Sequence, residues 1–199
     1  MSKKKVILKV ATRLFSEKGF KETSMADLAK VTGVAQGTIF YHFNNKEELF
    51  LSILEEFKRG IIEEFDRYVG ERKCETGLDM IEDAISFYLH LAGTMEEWFL
   101  LLHRHDAYEL AQVNPVCRQH LESIYNCLLE IFERAVLQGQ KDGSIEDMPA
   151  RKTALIIFSM VDGLVRFHTY KLYDAGALYS ELIASCRKIL QNKPFYEQE

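Results

Sequence analysis

Between residues 36 and 46 the chain reads Gln-Gly-Thr-Ile-Phe-Tyr-His-Phe-Asn-Asn-Lys. Gln36 carries a carboxamide that both donates and accepts, which allows a paired contact with adenine. The methyl of Thr38 can meet a thymine methyl, and Gly37 has no side chain to keep a large ligand away. Tyr41 and His42 bring polar tips suited to phosphate oxygens or base edges. Lys46 falls in the first turn of a following helix, where backbone N–H groups and a positive charge converge on an anion. Thr23 and Ser24 precede another helix start, and there they cap the helix, bind phosphate, or do both. These groups bind and read; none of them makes or breaks bonds. The chemistry they suit is recognition of double-stranded DNA.

Such a surface needs a scaffold, and the neighbouring residues supply one. Ser24 and Asp27 form a Ser-x-x-Asp helix start, and Leu28, Ala29 and Val31 give that helix an apolar side. Thr32-Gly33 ends it, because glycine accepts positive φ. Val34 re-enters a core, and Gln36 to Phe43 forms a second short helix with Ile39, Phe40 and Phe43 turned inward. Helix, glycine turn, helix is the arrangement that lays a second helix in a DNA major groove. A preceding helix over 3–18 carries Ile7, Val10, Ala11, Leu14 and Phe15 on one stripe, with Lys9, Arg13 and Lys18 off it. Three helices in about forty residues bury too little to stand alone. The expected support is a helix from Asn45 to Val69, capped by Asn45 and striped by Leu49, Ile53, Phe57 and Ile61. At about 1.5 Å per residue it runs roughly 35 Å.

The segment GVAQGTIFYHFNNKEELF resembles the DNA-binding signature of the TetR family of bacterial repressors, within a match from about Val6 to Phe50. The shared features are Gly33, Gly37-Thr38, the run Phe40-Tyr41-His42-Phe43 and the Asn-Lys-Glu-Glu-Leu helix start. Two positions depart from the family pattern. Ala35 stands where Ser or Thr is frequent, which weakens the cap of the second short helix. Phe40 stands where Tyr is usual, so a phosphate-binding hydroxyl is missing and Tyr41 or His42 takes that contact. The resemblance implies a homodimer on a palindromic operator, a pocket for a small molecule in the remaining helices, and release of DNA when that molecule binds.

Composition agrees with a globular, all-α chain of 199 residues: 47% hydrophobic, 28% charged, with three prolines. No stretch is apolar enough for a membrane span, and no secretion signal is visible, so the cytoplasm is the expected location. The net charge of −5 hides an asymmetry. Residues 1–46 hold nine Lys/Arg and three Asp/Glu, a net +6, whereas residues 47–199 hold sixteen and twenty-seven, a net −11. A basic head on an acidic body touches phosphate only through the head. The four cysteines, at 74, 117, 127 and 186, lack metal or redox spacing and read as small hydrophobes.

About nine helices are expected. After the polar break at 70–77 they cover 78–91, 95–112, 115–140 with Asn114 as cap, 154–173 with Asp147 as cap, and a last helix carrying Leu178 to Leu190. Ala92-Gly93-Thr94 reads as an interruption and the tail after Asn192 as frayed. The 154–173 helix is apolar almost all round and so needs more cover than one chain provides. With the last helix it is the expected dimer interface, closing a four-helix bundle between two subunits. The expected domains are 1–46, a helix-turn-helix DNA-binding domain, and 47–199, a helical ligand-binding and dimerisation domain. Candidate pocket residues are Tyr88, Phe99, His103, Tyr125, Phe158 and Asp162, for an apolar or aromatic inducer. His103, His105, Asp106 and Glu109 invite a metal reading, but only 105 and 109 share a helical face, so no metal, no cofactor and no catalytic residue is assigned. The function expected is a ligand-responsive dimeric repressor. The alternatives are an activator or architectural regulator of the same fold, or a co-activator that has lost DNA binding. The expected DNA contacts are Thr23, Ser24, Gln36, Gly37, Thr38, Tyr41, His42 and Lys46.

Overall fold

The computed structural model describes residues 2–70 and 74–191, so the expected fraying after Asn192 lies outside the described residues. Among the described residues there are ten α-helices and no strand: α1 (Lys3–Lys18), α2 (Met25–Thr32), α3 (Gln36–His42), α4 (Lys46–Gly70), α5 (Gly77–Thr94), α6 (Glu96–Leu102), α7 (His105–Val113), α8 (Pro115–Asp142), α9 (Ala150–Thr169) and α10 (Tyr179–Gln191). No helix among them is long and apolar enough to cross a membrane. The all-α expectation holds, with one helix more than the nine read from periodicity.

Two units make up the chain. The first combines Met1–Ile62 with Met95–Tyr125, and the second combines Glu63–Thr94 with Asn126–Glu199. In the first, Ile7, Phe15, Leu28, Ile39, Phe43, Leu49, Phe50 and Phe57 are all buried. Three rings pin α1, the α1–α2 turn and α4 together: Phe15, Phe20 and Phe50 lie 5.2 to 5.9 Å apart, centroid to centroid. Phe57 of α4 stacks on Trp98 and meets Phe99 edge-on, which brings α6 into the same core. The second unit packs α5 against α9 and α10 around Ile81, Ile85, Tyr88, Phe132, Phe158, Val161 and Cys186. Burial pushes the Cys117 and Cys186 thiols up to about 11, with Glu47 and Glu82 adding to the shift, so both remain protonated hydrophobes.

Several boundaries moved, each for a physical reason. The expected helix over 95–112 breaks at His103-Arg104, where Arg104 turns extended (φ −71°, ψ 144°) and its guanidinium leaves for carbonyls of α1. Ala92-Gly93-Thr94 does not interrupt α5. One glycine costs a helix about 1 kcal/mol, and buried Leu91 and Ala92 hold the turn. Asp147 is not the cap of α9; Pro149 takes that place with no side-chain bond. Val31 and Phe40 are exposed rather than inward. Successive helical positions lie about 100° apart, so Ile39 and Phe43 take the core and rotate Phe40 out. The α9 helix is not buried all round either: Leu155 and Ile156 are 50% and 55% exposed.

The end of α9 also comes earlier than expected. The Lys171 N–H donates to the His168 carbonyl and the Leu172 N–H to the Phe167 carbonyl, with Lys171 at φ 56°. That is a Schellman stop with a lysine where glycine is usual. Left-handed backbone costs a residue with a Cβ roughly 1 kcal/mol or more. Lys171→Gly is therefore expected to stabilise the protein by about 1 kcal/mol, read as a higher denaturant midpoint at unchanged slope.

Candidate nucleic-acid interface

The α2 helix starts in a closed capping box. The Asp27 N–H donates to Ser24 Oγ at 3.0 Å, and the Ser24 N–H donates to Asp27 Oδ2 at 2.9 Å. The Ser24 hydroxyl and N–H together hold the Asp27 carboxyl below its ordinary value. Thr32 bonds back to the Leu28 carbonyl and accepts from the Val34 N–H, and Gly33 turns the chain at φ 68°. This fixes where α3 begins. Ala35 offers α3 no side-chain cap, as its type requires. Ile39 and Phe43 anchor the helix beneath while Gln36, Gly37 and Tyr41 face outward, Tyr41 with 84% of its surface exposed. A Cβ built on Gly37 would meet nothing within 4 Å. Thr38 and His42 are half-buried on the flanks, and the His42 ring lies 5.2 Å from that of Tyr41. Lys3, Lys4, Lys5, Lys9 and Arg13 of α1 are exposed, with Lys4 over the Phe43 ring at 5.6 Å.

Five of the eight residues singled out from sequence thus meet on α3, and Ser24 is exposed at the start of α2. Two turn inward. Thr23 is fully buried, and its hydroxyl donates to the Gly19 carbonyl at 2.8 Å. Lys46 Nζ donates to the carbonyls of Phe20, Lys21 and Thr23 at 2.6, 3.2 and 3.0 Å and lies 4.5 Å from the centre of the Phe20 ring. Its ammonium thereby satisfies carbonyls of the α1–α2 turn that no helix bond reaches.

The same turn is held from α7. The Arg104 guanidinium donates to the Ser16, Glu17 and Lys18 carbonyls at 3.1 to 3.5 Å, at the C-terminal end of α1. Asp106 Oδ2 accepts from the Phe20 N–H at 2.8 Å, and Glu109 pairs with Lys21 at 2.8 Å. Pairing with Lys21 holds the Glu109 carboxyl low and raises the Lys21 ammonium. Sequence reading saw Asp106 and Glu109 only as part of an unconvincing metal pattern. Their partners are more than eighty residues away, and no local spacing announces that pairing.

Residues 7–53 match the family described as bacterial regulatory proteins, tetR family. The fatty acid metabolism regulator protein of Bacillus subtilis is 26% identical over 190 residues, spanning 94% of this chain and 95% of that one. Residues 7–53 thus match the TetR family's DNA-binding segment, and the chain as a whole is similar to regulators of that kind. Its fold is also that of a transcriptional regulator FadR from Bacillus subtilis solved with stearoyl-CoA, at a TM-score of 0.76 and 25% identity over 92% of this chain and 96% of that one. A regulator from Saccharomonospora viridis solved with choline superimposes at 0.80, with 21% identity over 96% and 98%. The matched segment is the helix-turn-helix just described, and the similar proteins are named as transcriptional regulators.

The six candidate pocket residues divide between the two units. Phe99, His103 and Tyr125 belong to the first unit, where Phe99 meets the His103 ring at 5.9 Å and the Tyr125 hydroxyl meets that of Tyr108 at 2.5 Å. Tyr88, Phe158 and Asp162 belong to the second, where the Tyr88 hydroxyl donates to Asp162 at 2.5 Å and the Tyr88 ring packs on Phe158. The second unit has a cavity of about 250 Å³ elsewhere, lined by Phe65, Tyr68, Met80, Ala84, Phe87 and Ile131, with Cys74, Asp83 and Arg134 as its polar members. Cys74 Sγ donates to Asp83 at 3.0 Å. Phe65 continues the four-residue spacing of Leu49, Ile53, Phe57 and Ile61 along α4, but only packing makes it a cavity wall.

Lys46→Met keeps the aliphatic stem and removes the three charged hydrogen bonds. It is expected to cost the protein roughly 1–3 kcal/mol, read as a drop in denaturant midpoint at unchanged slope.

Proposed function

We propose that this TetR-family chain is a ligand-responsive, dimeric, cytoplasmic transcriptional repressor that binds a palindromic operator. The observation that carries the reading is the outward face of α3, where Gln36, Gly37 and Tyr41 stand exposed on a head of net positive charge. In this reading Gln36 pairs with a base edge, Gly37 admits the groove wall closely, and Thr38, Tyr41 and His42 touch bases or phosphates. Ser24 and the exposed lysines of α1 add phosphate contacts. Lys46 and Thr23 support binding from within, by holding the turn that orients α2; any phosphate contact from Lys46 comes from charge that is already shared with three carbonyls. Residues 1–46 read DNA and the remainder binds the effector and the second subunit.

The dimer forms through α9 and α10. Leu155, Ile156 and Phe167 on α9 are exposed large hydrophobic residues in the single chain, which a second copy of the same face would cover. The effector is a small molecule with an apolar or aromatic body. Support comes from the apolar lining of the second unit's cavity and from the stearoyl-CoA bound to the Bacillus subtilis FadR structure. An effector releases DNA only by binding the DNA-incompetent state more tightly than the competent one.

Selection of bound duplexes from a random library is expected to return a palindrome, and adding stearoyl-CoA to the complex is expected to release it. Gln36→Ala should relax the preference at one base pair in each half-site, by about 1–3 kcal/mol. An unchanged consensus removes Gln36 from base reading. Ile156→Glu should convert the dimer to monomer in sedimentation and abolish binding to the full palindrome; a dimer that persists excludes this face as the interface.

A further inference from the structure

We propose that the cavity of the second unit takes a compact ligand with an apolar body and an uncharged polar end that both donates and accepts hydrogen bonds, held between Asp83 and Arg134. This rests on the reading of that cavity as the ligand site and narrows the ligand. Three helix faces enclose the space. Met80, Asp83, Ala84 and Phe87 recur at three- and four-residue steps along α5, while Ile131 with Arg134 on α8 and Phe65 with Tyr68 on α4 are each three apart. The α5 and α8 helices run in opposite directions. At the start of α5, Gly77 lies so close to α8 that a Cβ there would be 2.0 Å from the Gly139 nitrogen. Farther along, Tyr88 of α5 and Phe132 of α8 pack on the same ring, that of Phe158. Arg134 is therefore level with Met80 and Asp83, and Ile131 lies farther in, toward Ala84 and Phe87.

That order gives the cavity two unlike ends. Cys74 and Arg134 are exposed, and the Cys74 thiol donates to Asp83 Oδ2 at 3.0 Å, so this end is the mouth. Ala84 and Phe87 are 3% and 1% exposed and form the floor, where the Phe87 ring meets those of Phe65 and Tyr68, each at 5.2 Å. An engineered apolar cavity of about 150 Å³ holds benzene, so a space of about 250 Å³ holds roughly ten non-hydrogen atoms. The mouth carries one negative and one positive side chain, which do not pair with each other among the described residues. A carboxylate accepts at several lone pairs, and a guanidinium only donates. An end group that donates to Asp83 and accepts from Arg134 satisfies both. A bare ammonium meets Asp83 but faces the guanidinium, and a bare carboxylate does the reverse. Each of these also gives up more hydration on entry than a neutral group does. A carboxamide, with its oxygen and its NH₂ on one carbon, meets the two side chains together.

The test measures, by calorimetry at neutral pH, binding of octanamide, octanoate and octylamine to the full-length protein; the three share one tail. Octanamide is expected to bind about tenfold more tightly than either charged relative. Arg134→Met keeps the stem and removes the positive charge, so it should move the preference toward octylamine. Asp83→Asn keeps an oxygen for the Cys74 thiol and removes the negative charge, so it should move the preference toward octanoate. Ala84→Leu fills the floor and should abolish binding of all three in a chain that its unfolding transition shows to be folded. Ile131→Phe narrows the same space from α8 and should act alike. Equal affinity for the three in wild type, binding of none of them, or a preference that neither charge variant moves overturns the inference while leaving the effector reading to its own test with stearoyl-CoA. Binding that Ala84→Leu and Ile131→Phe both leave unchanged lies outside the cavity and also overturns it. Octanamide binding with the expected shifts, but without release of the operator, supports the ligand class and overturns the effector reading instead.

Discussion

A helix that ends must dispose of its last carbonyls, and in this protein that need organises the first unit. The α1 helix stops at Gly19 and the next starts at Met25, leaving a short stretch of backbone whose donors and acceptors have no helical partners. Charged side chains from two distant segments meet them: the Lys46 ammonium on three carbonyls of the turn, the Arg104 guanidinium on three carbonyls of α1, and the Asp106 carboxylate on the Phe20 N–H. Bonds of this kind are among the stronger ones in a folded chain, because one partner carries full charge. They convert a loop that would be mobile on its own into a fixed joint.

The aromatic triad beneath the joint does the complementary work. Phe15, Phe20 and Phe50 pack against one another and so join the turn to α1 and α4. Phe20 takes part in both layers: its ring packs with the other two and lies under the Lys46 ammonium, while its N–H and carbonyl bond to Asp106 and Lys46. A three-helix head of about forty residues is short of apolar area. It is completed here by α4, α6 and α7 rather than by a larger core of its own, which is why Met95–Tyr125 belongs to the same unit as residues from the first sixty-two.

Charge follows the same division of labour. The positive groups of the head that are spent on structure, Lys46 above all, face inward onto carbonyls, and those of α1 remain exposed. The outward face of α3 is nearly free of formal charge; it offers an amide, a bare backbone position and a phenol. On the proposed reading, binding strength and base reading come from different residues, as expected where phosphate contacts supply affinity and base edges supply discrimination.

Local chemistry was legible in the residues themselves. Ser24 and Asp27 three apart specify a helix start, Gly33 a stop, and Ile39 with Phe43 the buried side of α3, because capping, positive φ and helical period are all decided within a few residues. The family signature was legible for the same reason, being one continuous stretch. What sequence could not decide were matters between distant residues or between adjacent positions competing for one core. Phe40 is as apolar as Phe43, and only the packing of α3 on its neighbours turned it out. Lys46 read as a phosphate ligand and Thr23 as a cap, a phosphate ligand or both; only the fold shows that both side chains bond to carbonyls of the α1–α2 turn. The helix expected over 95–112 is continuous by periodicity, yet it breaks at Arg104 because the guanidinium finds the end of α1 some ninety residues upstream. Helix propensity differences are worth a few tenths of a kcal/mol per residue, and a charged clamp on unsatisfied carbonyls outweighs them.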